Sequence, residues 1–360
     1  MDYYHTRYTR PTKKKSGFRK IFFGFIIFIL IVGGGLGYHA YRVIYEPNVW
    51  TTDGKVVIIK IPTGSEYDDV KNILYENGLI IHRKNFEWVA DFKSFDKSIK
   101  AGNYEIRNGL SNNDLINLLR SGDQKPINVI FNNIRDIYQL ASKVAPQIEA
   151  DSASIVDFIN SDKFSSQLGT DSADRSIYFI PNTYEFYWNT SAEGFVLRMH
   201  EEYEKFWGGK RKNLAKEMDM SIEEVVILAS IVEKETQKNS EKAAIAGVYI
   251  NRIQRKWLLQ ADPTLLYILN DQSIRRVLNV HKKIDSPYNT YKYLGVPPGP
   301  ICIPSISSID AVLNYDRGDY FYFCARSDLS GYHAFSKGLT QHNKNAKKYQ
   351  QALNALKIYK

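Results

Sequence analysis

The chain has little with which to hold a metal. Its only cysteines are Cys302 and Cys324, and neither has a histidine neighbour at zinc-ligand spacing. No metal site and no other cofactor is expected. One pair of cysteines fits a single disulfide in an oxidising compartment equally with two buried free thiols. Internal repeats and low-complexity segments are also missing, apart from a basic N-terminal tail, which sets aside repeat architectures. Excess positive charge is scarce outside that tail. The net charge is +9, but residues 1–20 carry Arg7, Arg10, Lys13, Lys14, Lys15, Arg19 and Lys20 against Asp2, a net of +6 that leaves +3 for all the rest. Basicity confined to a tail argues for membrane topology and against a nucleic-acid partner.

Ile21–Tyr41 contains no Lys, Arg, Asp or Glu. At about 1.5 Å per residue it spans roughly 30 Å, the thickness of a hydrocarbon core. Seven basic residues precede it and Arg42 follows, so the positive-inside rule leaves the N-terminus in the cytoplasm and everything after Arg42 outside. A cleaved signal peptide would have a shorter apolar core followed by small residues; Tyr38–His39–Ala40–Tyr41 is a poor cleavage site, and a retained anchor is expected.

The chain as a whole has the 44% hydrophobic and 24% charged content of an ordinary folded protein, and with the span set aside it has room for two or three domains. A strand from Val56, a helix over Ser65–Gly78 with Val70, Ile73 and Leu74 on one side, and a helix over Asn85–Phe92 come first. A strand at Ala101–Ile106 follows, then a short helix at Ser111–Leu119 with Leu115, Leu118 and Leu119 inward. A strand at Ile127–Phe131 is expected to close this region. From Asn132 the pattern becomes helical, with Ser/Asp-rich loops around Ser161–Ser176. The aromatic block Ile177–Asn189 suits either core packing or sugar stacking. Near the end, Asp319–Arg326 reads as a buried strand with Gly331–Phe335 as its hairpin partner, and Thr340–Leu356 as a last helix.

The stretch Ile227–Lys238 (ILASIVEKETQK) organises the chain. Ser221 and Glu224 form a capping-box pattern that starts a helix at Ile222. At about 100° per residue, Val225, Leu228, Ile231 and Val232 make one apolar arc, and Glu235 falls within it, while Glu233 lies beside Ala229 and Ser230. A carboxyl on an apolar face loses hydration and keeps its proton to higher pH, which is how a general acid is made. By periodicity alone the alternative stands open: the helix ends near Glu235 and its side chain reaches water. Ser240 is placed to cap the next helix, Glu241–Lys256. Asp262, before Pro263, is placed either to cap a helix from Thr264 or to meet substrate.

The ordered strings LASIVEKET, VYINR, LQADPT, SPYNTY and GVPPGPI, across Leu228–Ile301, resemble the YceG-like family, the endolytic murein transglycosylases. The resemblance implies an α+β fold in four parts. These are a basic cytoplasmic tail (1–20), a transmembrane helix (21–41), a linker with a small LysM-like βααβ module (42–131), and a mixed α/β YceG-like catalytic domain (132–360). It implies cleavage of peptidoglycan strands with Glu235 as catalytic acid/base. Gln260, Asp262, Thr264, Tyr288 and Asn289 are candidate substrate contacts, with Glu233 and Asn251 in possible support. It also implies a cytoplasmic-membrane location, with cell-wall synthases and elongation or division proteins as partners. The chain departs from the family pattern at Asn182, where an acidic residue is usual, and at Ile303, where the family commonly has Asn. Two other classes of function remain: a non-catalytic glycan-binding scaffold, and a hydrolysing muramidase with Asp262 as its second carboxylate.

Overall fold

The computed structural model describes residues 17–168, 174–271 and 277–355, together with Met1 and Ile274. Most of the basic tail, part of the Ser161–Ser176 stretch and Leu356 lie outside these residues. The chain divides into two compact units, Met1–Lys125 and Pro126–Lys360.

The first unit opens with α1 (Gly17–Tyr45), of which Arg19–Tyr45 is long and apolar enough to cross a membrane. The helix continues past Tyr41 because Val43 has a core to enter, where it is buried. β1 (Val57–Ile61), α2 (Tyr67–Glu76), α3 (Arg83–Phe92), β2 (Gly102–Ile106) and α4 (Asn112–Ser121) follow. β1 and β2 pair antiparallel, with Ile59 opposite Tyr104, both buried. Glu66 rather than Ser65 precedes α2, and its N–H donates to Asp69 Oδ2 at 2.8 Å. On α4 the inward residues are Leu115, Ile116 and Leu119; Leu118 is only half-buried.

The second unit begins with β3 (Ile127–Phe131), the strand expected to close the first. It pairs antiparallel with a strand far along the chain, so the first unit keeps a two-stranded sheet. In order come α5 (Ile137–Val144), α6 (Ser152–Asn160), α7 (Asp162–Leu168), β4 (Asn182–Phe186), α8 (Ala192–Trp207) and α9 (Lys210–Glu217). α10 (Ile222–Glu235), α11 (Asn239–Gln254), α12 (Asp262–Leu269), α13 (Ile306–Leu313), β5 (Tyr322–Ala325), β6 (His333–Ser336) and α14 (Leu339–Ala355) complete it. Val129 of β3 sits opposite Tyr184 of β4, and with Phe131 and Phe186 they join the large core. The aromatic block is therefore largely core: Tyr178, Phe179, Tyr184 and Phe186 are buried, while Tyr187 is exposed. β5 is half-buried rather than buried, since it forms a two-stranded hairpin with β6 alongside α14. Cys302 and Cys324 are both free thiols.

α10 starts at Ile222 as its capping box requires: Glu224 N–H donates to Ser221 Oγ at 3.0 Å, and Ser221 N–H to Glu224 Oε2 at 2.8 Å. Every residue from Val225 to Val232 is buried. A helix apolar on all sides is a core helix, and α11, α12, α13 and α9 pack around it. Its last turn, Glu233–Glu235, is where it leaves the core.

Neither Ser240 nor Asp262 caps a helix. α11 starts at Asn239, so Ser240 lies in its first turn, and Thr236 Oγ1 instead accepts from Lys238 N–H at 3.0 Å. α12 starts at Asp262 with Ala261 at the cap position. Pro263 falls in the first turn, where a missing N–H leaves no intrahelical bond unmade, so Asp262 is free to face outward.

Gly247 on α11 is a point of close approach. A Cβ there would lie 2.2 Å from the Asp316 carbonyl oxygen, and Asp316 N–H is bonded to the Ala243 carbonyl at 3.0 Å. Gly247→Ala should therefore destabilise the second unit by roughly 1–3 kcal/mol through overpacking, although alanine favours helix by about 1 kcal/mol. A thermal melt that rises in the variant would contradict this packing.

Candidate active site

Glu235 is the final residue of α10, and the backbone turns extended at Thr236. From α11 the Tyr249 hydroxyl, itself buried, donates to Glu235 Oε1 at 2.5 Å. Both residues line a cleft of about 560 Å³ whose walls include Arg252, Gln260, Asp262, Tyr291 and His342. Glu235 keeps a partial opening to that cleft, while dense protein surrounds it elsewhere. Burial pushes its carboxyl from the ordinary 4.5 up to about 7; the Tyr249 hydrogen bond opposes the rise, the Asp262 charge adds to it and Arg252 opposes it. Tyr249 is held far above the ordinary phenol range, chiefly by burial and then by the Glu235 charge, so it remains a proton donor.

Of the expected site residues, the cleft brings together Glu235, Gln260 and Asp262. Gln260 is exposed in a left-handed backbone conformation (φ 53°), with its N–H bonded to the Thr290 carbonyl at 3.0 Å. Asp262 Oδ1 accepts from the Tyr291 hydroxyl at 2.5 Å. Thr264 and Asn289 are fully buried, and their polar atoms serve the framework. Thr264 Oγ1 bonds the Ala261 carbonyl at 2.8 Å and meets Thr290 Oγ1 at 3.0 Å. Asn289 Nδ2 donates to the carbonyls of Lys282 and Ile284, and its Oδ1 accepts from Tyr291 N–H. Asn289 thus fixes the loop that delivers Tyr291. Tyr288 is outside the cleft lining: its ring packs on Tyr267, centroids 4.9 Å apart, and a Cβ on Gly299 would come within 2.8 Å of its hydroxyl. Asn251 Nδ2 holds the carbonyls of Gly318 and Tyr320 at 2.8 and 2.9 Å.

Glu233 faces a different group. Its Oε2 accepts from Ser305 Oγ and Ser308 Oγ, each at 2.5 Å, and from Lys242 Nζ at 3.0 Å. Burial alone would raise its pKa, but these three donors together outweigh burial and hold the carboxyl below the usual range. It is an ionised clamp between α10, α11 and α13. His333, likewise, is structural: its ring Nδ1 and backbone N–H both meet the Glu241 carboxylate.

Tyr249, Arg252, Lys282, Tyr291 and His342 are among the cleft residues that sequence reasoning did not single out. Tyr249 and Arg252 lie in the VYINR string, where Asn251 was singled out. Tyr291 is the residue after the Tyr288–Asn289–Thr290 run. The available signal was the helix hairpin, which places α11 beside the end of α10.

The raised Glu235 pKa has a signed consequence for stability. With the folded value above the unfolded one, the two states bind protons equally well below about 4.5. The folded state is penalised as pH rises from there to about 7. Glu235→Gln removes a charge that must otherwise be held in a dry site. It should stabilise the chain at pH 8 by roughly 2–3 kcal/mol, with the gain vanishing near pH 4. Melting curves of the two proteins against pH measure this; an equal gain at both pH values would contradict the burial of the charge. Glu233→Gln should instead destabilise by roughly 1–3 kcal/mol at neutral pH, because Lys242 then lacks its counter-charge.

Residues 59–348 match the YceG-like family. The chain is 30% identical over 341 residues to the endolytic murein transglycosylase of Bacillus subtilis (strain 168), covering 90% of this chain and 92% of that one. It is 27% identical over 334 residues to the endolytic murein transglycosylase of Streptococcus pneumoniae serotype 2 (strain D39 / NCTC 7466), covering 84% of this chain and 60% of the relative. A YceG-like protein of Listeria monocytogenes with a crystal structure matches the fold at a TM-score of 0.54 and 28% identity, over 80% of this chain and 98% of that one. With the family match spanning most of its length, the chain belongs to the YceG-like family.

Proposed function

We propose that this chain is a membrane-anchored endolytic lytic transglycosylase that cuts the β-1,4 bond between N-acetylmuramic acid and N-acetylglucosamine in peptidoglycan. The observation that carries the reading is Glu235, a carboxyl pushed up to about 7 by burial at the edge of an open cleft. In its protonated form it donates to the glycosidic oxygen as the C1–O bond breaks. The C6 hydroxyl of the same muramic residue then attacks C1 and gives its proton to the Glu235 carboxylate. The product ends in a 1,6-anhydro ring, no water is consumed, and the acid is restored. One carboxyl suffices. Tyr249 orients it through their 2.5 Å hydrogen bond, and Gln260 and Asp262 contact the sugars from the cleft wall. Thr264 and Asn289 act behind them, as supports for that wall.

The likeness to endolytic murein transglycosylases over nearly the whole chain supports this reading. α1 is read as a single-pass anchor in the cytoplasmic membrane, with the N-terminus cytoplasmic and everything after Arg42 outside. The first unit, LysM-like in its βααβ order, is read as holding or spacing the strand. Partners would be cell-wall synthases and elongation or division components, with cleavage ending nascent strands.

A hydrolysing muramidase is the second reading, because Asp262 shares the cleft with Glu235. Mass spectrometry of peptidoglycan fragments separates the cases. Anhydro ends from the wild type, reduced by roughly 10²–10⁴-fold in Glu235→Gln, are expected. Reducing muramic ends would point to hydrolysis, and binding without fragments to a scaffold.

Activity should fall as pH rises through about 7, where Glu235 loses its proton. The Tyr249 hydroxyl favours the ionised carboxylate, so Tyr249→Phe should move that alkaline limb to higher pH while lowering the maximal rate. A limb that stays in place would contradict the coupling of these two residues.

A further inference from the structure

The first unit carries an exposed aromatic pair that the proposed chemistry leaves unused. Trp88 and Phe92, one turn apart on α3, stack with centroids 5.7 Å apart and planes within 7°. They remain 48% and 71% exposed, on the side of α3 away from buried Phe86, Val89 and Ala90. We propose that this face of α3 rests in the headgroup boundary of the bilayer that α1 crosses, so that the unit is docked on the membrane as well as tethered to it. The proposal rests on α1 being a membrane anchor.

Hydrogen bonds tie α3 to the segment just past α1 and to α4. Asn48, just past α1, donates from Nδ2 to the His82 carbonyl at 3.1 Å, which holds the start of α3. At the other end Lys93, the residue after Phe92, donates to Asn113 and Asn117 Oδ1 at 2.6 Å. The neighbouring Asn112 donates to the Val43 carbonyl of α1 at 2.8 Å. The end of α1 packs on both α3 and α4, and Val43 shares one buried core with Phe86, Val89 and Ala90 of α3. Val43 is only about 3 Å of helical rise beyond Tyr41, where the charge-free run stops. Tyr41 and Tyr45 are exposed at this end of α1, their rings 5.2 Å apart. Exposed aromatic rings at the end of a span and on a helix packed against it have the composition of an interfacial belt, where an apolar ring body meets lipid and a polar edge meets water. Lys84, Glu87 and Asp91 mix both charge signs along α3, so the face favours lipid through its rings and not through anionic headgroups.

The full chain in phosphatidylcholine vesicles tests this. The lipid is brominated at shallow or at deep acyl carbons, and Trp88→Phe isolates the emission of Trp88. Shallow bromines should lower that emission, as expected of a ring seated at the headgroup–acyl boundary, and deep bromines should lower it less. Vesicle flotation is measured on the same samples. A chain that floats while Trp88 emits equally in brominated and plain lipid overturns the docking and leaves the anchor intact; a chain that does not float overturns both. Should Trp88→Phe fold poorly, Phe92→Trp adds an emitter on the same face of α3 and reads the same quenching.

Discussion

The cost of taking one carboxylate out of water governs the second unit. Glu235 ends a helix whose middle is apolar on every side, so the helix must stay in the core and its last residue must emerge at the core's edge. There the carboxyl has one close donor, the Tyr249 hydroxyl, and burial outweighs it. Two residues earlier, Glu233 has three donors and stays ionised. The same side chain on the same turn is thus shifted in opposite directions, decided by how deeply each carboxyl is buried and how many hydrogen bonds each site offers its charged form.

The polar residues behind the cleft keep that balance in place. Buried amides and hydroxyls are tolerated because each is bonded: Asn289 to three backbone groups, and Thr264 and Thr290 to each other and to the Ala261 carbonyl. They fix the loop that carries Tyr291 and the turn that carries Gln260 and Asp262. The Glu233 clamp holds α10 against α11 and α13, which keeps Tyr249 opposite Glu235. Stability is given up at Glu235 and recovered in this framework, the usual trade at a functional site.

Local signals in the sequence were read well. The Ser221–Glu224 box placed the start of α10 to the residue, the apolar arc of α10 is buried, and the charge-free run falls within α1. What failed was non-local or aperiodic. Ile127–Phe131 is a strand in any reading, but its partner lies at Asn182–Phe186, and nothing in five alternating residues names a partner. In the SPYNTY loop no period tells which polar group faces the cleft, so Tyr288 and Asn289 were chosen where the structure presents Tyr291. At Asp262 two local rules competed: capping by Asp and proline in the first helical turn. The second prevailed.

The central claim is the protonation state of one carboxyl. Carbon-13 NMR of the chain labelled at its glutamate carboxyls, assigned by the resonance missing in Glu235→Gln, would follow that group against pH. The account predicts a midpoint near 7 for Glu235, well apart from the exposed glutamates. A midpoint at the ordinary 4.5 would contradict it, because Glu235 would then reach the cleft ionised and unable to act as the acid.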